Sequence, residues 1–169
     1  MKKHTRFVAL ATFGVLSAVA AHASGSHAGD HGHGNHDQAM AIGQPGKASE
    51  ATRTIQVDMS DNMRFTPESI QVRQGETVRF VVKNIGKIKH ELVLGSTQDL
   101  QAHYEAMLKN PEMEHEDPNQ ITLAPGKAGE IVWKFSRAGA VPFGCLQPGH
   151  YSAGMKGEVK VATMKGAKP

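Results

Sequence analysis

The stretch FGCLQPGHYSAGMKGEVKV, residues 143–161, contains Cys145, the only cysteine in the chain. His150 follows five positions later and Met155 five positions after that. Glycine-containing turns are predicted between these residues, and alternating apolar residues predict a strand on either side. A loop held at both ends by strands can keep a fixed ligand geometry, so this stretch predicts a β-rich domain with a metal site.

The donor atoms of this loop indicate which metal it would bind. A thiolate, an imidazole and a thioether are soft to borderline donors, and a second imidazole would complete the His₂Cys set with a weak axial Met of a mononuclear copper electron-transfer site. His90 is the best candidate for that imidazole because it begins the apolar segment HELVLG. His103, in a predicted helix, and His115, in an acidic loop, are competitors.

Three alternatives to a copper site remain at this point. Cys145 as a nucleophile would use His150 as its base, but neither a helix start nor an orienting carboxylate follows it. A zinc site would lack a C-x₂-C pair and would need an unusual Met ligand. Buried Cys and Met are also ordinary core residues. The combination of Cys145, His150 and Met155 with two turns favours the metal site.

The first residues predict export. A basic start, a short apolar run and an A-x-A motif are typical of a secretory signal peptide spanning residues 1–23, and the run is too short for a membrane span. Removing this segment takes away three basic residues and leaves 16 Lys and Arg against 16 Asp and Glu. We therefore expect a periplasmic chain of near-zero net charge, with no membrane span after cleavage and no nucleic-acid partner.

Residues 24–50 are rich in Gly, Ser, Ala and His and contain few large apolar residues, so they are predicted to be disordered. Four histidines fall within ten positions of this segment, at His27, His31, His33 and His36. Clustered imidazoles on a flexible chain favour binding of copper, zinc or nickel, whereas the alternative is a polar linker. Met113 and His115, in the acidic segment EMEHEDP, are further candidates for secondary copper binding.

From residue 51 the apolar residues alternate, which predicts the half-buried strands of a β-sandwich or barrel over residues 51–163, followed by a short tail at 164–169. The alternating positions are Ile55, Val57 and Met59; Ile70 and Val72; Val78, Phe80 and Val82; Ile131, Trp133 and Phe135; and Val159 and Val161. One helix interrupts them, with Ser96 or Thr97 as N-cap, Pro111 as terminator and a stripe of Leu100, Tyr104, Met107 and Leu108.

Residues 52–162 resemble the cupredoxins, and are similar to the CopI-like periplasmic members associated with copper tolerance. The resemblance is carried by MRFTPESIQVRQGETVRFVVKN, KHELVLG, MLKNPEMEHEDPN and PGKAGEIVWKFSRAGAVPFGCLQPGHYSAGMKGEVKV. It implies an all-β Greek-key sandwich with one helical insert and one type 1 copper. The ligands it implies are His90, Cys145, His150 and Met155.

One residue of this chain departs from the pattern of the family that it resembles. Plastocyanin-type sites commonly place Asn after the first histidine, where it bridges to the cysteine loop, but this chain has Glu91. The resemblance therefore leaves the hydrogen bonding, colour and potential of the site undefined. It implies two functions: copper tolerance, which the His-rich segment favours, and one-electron transfer between periplasmic redox partner proteins. An enzymatic role is the third and least favoured alternative, because a Cu(I) oxidase would need an electron acceptor that the sequence does not reveal.

Overall fold

The computed structural model describes residues 42–111 and 117–163. The predicted signal peptide, residues 24–41 of the His-rich segment and the tail at 164–169 lie outside the described residues. Among those that are described, no helix has the length and apolar character needed to cross a bilayer.

Ten strands, one α-helix and one short 3₁₀ helix make up the elements of the described residues. The strands are β1 (Gln44–Pro45), β2 (Arg53–Ser60), β3 (Arg64–Thr66), β4 (Ser69–Arg73), β5 (Thr77–Asn84), β6 (His90–Leu94), β7 (Gln120–Leu123), β8 (Ala128–Lys134), β9 (Gly139–Gly144) and β10 (Lys156–Ala162). The helix α1 (Thr97–Lys109) lies between β6 and β7, and a short 3₁₀ helix covers Ala48–Glu50.

The strands form two five-stranded sheets, with orders β1-β8-β5-β2-β3 and β4-β10-β9-β6-β7. Two pairs are parallel, β2 with β5 and β4 with β10, and the other neighbours are antiparallel. The prediction of an all-β sandwich with a helical insert is confirmed.

The core lies between the two sheets and follows from the alternation of apolar residues. Val57, Phe80 and Val159 are among the side chains buried there. Aromatic rings pack edge to face within it, with ring centroids 5.1 Å apart for Phe65 and Phe143. Because alternate residues of a strand point to opposite faces, one face of strands such as β4 enters this core and the other is exposed, whereas β6 is buried on both faces.

Helix α1 begins at a capping box, in which the Ser96 side chain accepts from the Asp99 N–H and the Asp99 side chain accepts from the Ser96 N–H. Leu100 and Met107 are buried, as the predicted stripe requires. Leu108 was wrongly placed on this stripe, since it is 52% exposed. At about 100° per residue it lies roughly 80° around the helix from Leu100, beyond the edge of the apolar face.

Residues 42–50, the described part of the segment predicted to be disordered, include the strand β1. Strand β1 pairs with β8, and the buried Trp133 indole donates a hydrogen bond to the Ile42 carbonyl at 3.1 Å. Ile42 itself belongs to the main core. The last residues of the segment predicted to be disordered therefore form part of the sandwich, because a buried indole N–H requires an acceptor.

Candidate metal centre

Cys145 directly follows β9 and is fully buried. Its N–H donates to the Met155 carbonyl at 3.0 Å, which closes the base of the loop between β9 and β10. Its Sγ accepts a hydrogen bond from the Glu91 N–H at 3.4 Å. The thiol is thus held between the start of β6 and the end of β9, two strands that pair with each other.

Two imidazoles approach this sulfur. His150 Nδ1 lies 3.2 Å from Cys145 Sγ and 3.2 Å from His90 Nδ1, while His90 Nδ1 lies 4.0 Å from Sγ. The three donor atoms all fall within 4.8 Å of one another. His90 is fully buried at the start of β6, whereas His150 is partly exposed. The structure thus brings together three of the four residues singled out in the sequence as one compact donor cluster.

Met155 ends the same loop and lies in the core beside Cys145. The His150 N–H donates to the Gln147 carbonyl at 3.0 Å, and the Met155 N–H donates to the His150 carbonyl at 3.1 Å. Gly149 and Gly154 have φ values of 85° and 96°, in the left-handed region that glycine adopts without strain. Met155 is fully buried in the same core cluster as Cys145.

Burial sets the charge of these groups in the metal-free protein. Desolvation raises the pKa of the Cys145 thiol to about 12, against an ordinary value of 9.0, although the Glu91 N–H acts in the opposite direction. Burial and the neighbouring His90 lower the pKa of His150. Without a cation the cluster therefore holds a protonated thiol and, at His150, a neutral ring at neutral pH. A bound cation would stabilise the thiolate, and the sulfur and nitrogen donors suit a soft to borderline ion such as copper.

Glu91 is a buried carboxyl group that bridges to the cysteine loop. It is 2% exposed, and its Oε1 accepts a hydrogen bond from the Leu146 N–H at 2.9 Å. Its Oε2 lies 3.3 Å from both Gln147 Nε2 and Thr122 Oγ1, each of which donates to it. Glu91 stands where plastocyanin-type sites commonly have Asn. Its side chain still forms a bridge to the cysteine loop, at Leu146 and Gln147.

Asp61 is a residue that the sequence did not single out. It lies in the turn after β2, and its Oδ1 is 3.0 Å from His90 Nε2. Hydrogen bonds from the Lys87 N–H and from His90 hold the pKa of the Asp61 carboxyl below its ordinary value of 3.8. An Asp in the segment SDNM is typical of a turn, and no local pattern indicates that the turn faces a histidine 29 residues away.

The other candidate donors lie elsewhere. His103 is on α1 and is not part of the cluster. The secondary candidates Met113 and His115 lie outside the described residues, as do His27, His31, His33 and His36.

Comparison with known proteins identifies the family. Residues 51–162 match the model of the copper binding proteins of the plastocyanin/azurin family. The chain belongs to this family. With the His90–Cys145–His150 cluster, this family membership means that the protein binds one type 1 copper, as predicted from the sequence.

Two curated relatives match this cupredoxin over most of their length. The "Copper-resistant cuproprotein CopI" of Rubrivivax gelatinosus is 52% identical over 145 residues, covering 85% of this chain and 86% of the relative. The protein of the same name from Pseudomonas aeruginosa is 35% identical, covering 90% of this chain and 93% of the relative.

Two of the solved structures with a similar fold are auracyanins. The dithionite-reduced auracyanin of Roseiflexus castenholzii is 26% identical, with a TM-score of 0.56, over 66% of this chain and 98% of its own. Auracyanin A of Chloroflexus aurantiacus, described as a blue copper protein, is 23% identical, with a TM-score of 0.54, over 64% of this chain and 97% of its own. The similarity to auracyanin A concerns the fold alone.

Proposed function

We propose that this cupredoxin is an exported protein that protects the cell against excess copper. The observation that carries the proposal is the buried His90–Cys145–His150 cluster, in a chain 52% identical to a relative named as a copper-resistant cuproprotein. Export is supported by the signal-peptide pattern of residues 1–23, which implies a periplasmic location.

The proposed ligands have distinct roles. Cys145 would bind as a thiolate, His90 and His150 through Nδ1, and Met155 as the weak axial thioether. Copper, when bound, supplies a one-electron couple between its +1 and +2 states. The chain's contribution is to hold soft and borderline donors together in a desolvated pocket, so that both oxidation states are accommodated with little movement.

The His-rich segment supports tolerance over simple electron transfer. A carrier needs one metal centre, whereas His27, His31, His33 and His36 add four imidazoles outside it. In this proposal the segment captures copper that exceeds the capacity of the type 1 site. Loss of this capacity would lower tolerance without changing the spectrum of the site.

A second candidate function is one-electron transfer to a periplasmic redox partner protein. The observation that favours it is the difference between the two imidazoles, since His150 is partly exposed and His90 is fully buried. An exposed ligand edge offers a short path for an electron between the copper and a docked partner. No catalytic residue is assigned in either function.

The two functions are separated by growth of a strain from which the gene is deleted. The strain would be complemented with the wild-type chain, with Cys145→Ser, or with a deletion of residues 24–41. This deletion ends before Ile42, so it leaves the Trp133 contact and β1 intact. Tolerance predicts that Cys145→Ser fails to restore growth on copper and that the deletion restores it only partly.

Electron transfer as the main role predicts a different result. Growth on copper would then be normal in the deleted strain, and growth on particular electron acceptors would fail. If the chain lacking residues 24–41 restores full copper tolerance, the proposed role of the histidines is wrong.

A further inference from the structure

The orientation of the buried His90 ring depends on which of its nitrogens carries a hydrogen. Nδ1 faces His150 and Cys145, at 3.2 Å from His150 Nδ1, and Nε2 points the other way. A neutral imidazole has one N–H and one lone pair, so Nδ1 can bind a metal only if the hydrogen is on Nε2. A group that accepts a hydrogen bond from Nε2 would select this tautomer.

Asp61 is that group. Its Oδ1 lies 3.0 Å from His90 Nε2, and its Oδ2 accepts a hydrogen bond from the Lys87 N–H at 2.8 Å. A carboxylate oxygen can only accept, so the hydrogen between Oδ1 and Nε2 belongs to the ring. The two oxygens have separate partners, which fixes the plane of the carboxylate relative to the imidazole.

The loop before His90 is shaped to admit this carboxylate. Asn84 is fully buried, and its Oδ1 accepts a hydrogen bond from the Gly86 N–H at 2.9 Å while its Nδ2 donates to the Ile88 carbonyl at 2.8 Å. A Cβ at Gly86 would overlap Asp61 Oδ1, so only glycine allows the approach. The turn after β2, the loop after β5 and the start of β6 therefore meet at this contact.

An ordinary surface ion pair would look different. The Asp61 side chain is 37% exposed, but its partner ring is completely buried. Loss of the acceptor of a buried ring N–H is costly, whereas both members of a surface pair are solvated. The carboxylate also comes from the other sheet, so it connects the two halves of the sandwich at the donor cluster.

We propose that Asp61 is a positioning residue for the copper centre, holding His90 as the Nε2–H tautomer and strengthening Nδ1 as a donor to Cu(II). A carboxylate that accepts from the distal N–H raises the basicity of a metal-binding imidazole. The more basic nitrogen stabilises Cu(II) more than Cu(I), so Asp61 biases the site toward the oxidised ion. This inference rests on the copper centre and not on the choice between tolerance and electron transfer.

The test compares four variants of the chain that lacks residues 1–23. Asp61→Ala removes the carboxylate, Asp61→Asn replaces it with a group of the same shape that cannot accept from both partners, and Gly86→Ala displaces it without removing it. Glu130→Gln is the matched control, since Glu130 is a carboxylate of similar exposure whose partner is Arg79. Ring nitrogen NMR of the metal-free proteins gives the His90 tautomer, and chelator competition gives the Cu(II) and Cu(I) affinities.

We expect wild type and Glu130→Gln to carry the His90 hydrogen on Nε2 and Asp61→Ala to show mixed tautomers. We expect Cu(II) affinity to fall about 10–100-fold in Asp61→Ala, and Cu(I) affinity to fall less. Gly86→Ala and Asp61→Asn should weaken Cu(II) binding in the same direction.

The proposal is overturned if wild-type His90 carries its hydrogen on Nδ1, or if both Asp61 variants bind Cu(II) as tightly as Glu130→Gln. If Asp61→Ala does not fold, Asp61→Asn decides the outcome. If the wild-type chain itself binds no copper, the assignment of the copper centre is wrong. The His90 tautomer of the metal-free protein then still tests whether Asp61 positions the ring.

Discussion

At the scale of single residues, Glu91 connects the two parts of the chain that form the centre. Its backbone N–H donates to Cys145 Sγ, and its side chain accepts from the Leu146 N–H. One residue thereby orients the sulfur and fixes the loop that follows it. Both groups are buried, so water cannot take over either contact.

Replacing Glu91 by Ala should destabilise the metal-free protein. The Leu146 N–H would then be buried without an acceptor, which costs about 1–3 kcal/mol of unfolding free energy. Glu91→Gln retains an acceptor oxygen and should cost less. Urea unfolding measures both, with Glu130→Gln, an exposed carboxylate, as control. A Glu91→Ala variant as stable as wild type would contradict the structural role of this bridge.

The Cys145 thiol should be unreactive in the folded, metal-free protein. Because the thiolate is the nucleophile and burial raises the pKa to about 12, alkylation by iodoacetamide at pH 8 should be at least about tenfold slower than in urea. Equal rates in the two states would show that the thiol is accessible and ionised.

The same pKa shift predicts how stability depends on pH. The unfolded chain releases the thiol proton near the ordinary pKa of 9.0, whereas the folded chain retains it up to about 12. The metal-free protein should therefore lose stability as pH rises from about 9 toward 12. The test is urea unfolding across this range with Cys145→Ser as control, because the variant should lack this part of the decline. Parallel declines in both proteins would contradict the assignment.

At the scale of secondary-structure elements, α1 supports the ligand loop. Leu100 and Met107 share a small core with Val93 and with Leu146, the residue after Cys145. Tyr104 packs against Tyr151, the residue after His150, with ring centroids 5.7 Å apart. The helical insert thus packs against the loop that carries three of the four proposed ligands.

Met107→Ala should cost about 2–5 kcal/mol of unfolding free energy, because it opens a cavity in this small core. Leu108→Ala is its matched control, since the next residue of the same helix is 52% exposed and should change stability by no more than about 0.5 kcal/mol. The measurement is urea unfolding of the metal-free variants. Similar losses at both positions would mean that the face of the helix is wrongly assigned.

Local pattern explains what the sequence could predict about these elements. Alternation located strands such as β2 and β5, and turn residues located the loop that holds His150 between Gly149 and Gly154. The contacts of Asp61 with His90 and of Glu91 with Leu146 could not be predicted, because they join residues that are 29 and 55 positions apart. Periodicity reports which face of an element is buried, but it contains no information about which distant polar group meets it.

At the scale of the whole molecule, the centre lies where the two sheets approach each other. His90 and Cys145 adjoin strands of one sheet, and Asp61 follows a strand of the other. The three donor atoms lie within 4.8 Å of one another, close enough to bind one metal ion together. A closely spaced and largely buried donor set is the property that a copper site needs in order to accommodate both oxidation states.

The most direct test of the copper centre is the visible absorption of the chain lacking residues 1–23 on titration with Cu(II). We expect an intense thiolate-to-copper band that saturates at one copper per chain and is absent in Cys145→Ser. Copper bound to histidines alone would give no such band. A colourless wild-type complex, or an equal band in Cys145→Ser, would contradict the assignment of Cys145 as a copper ligand.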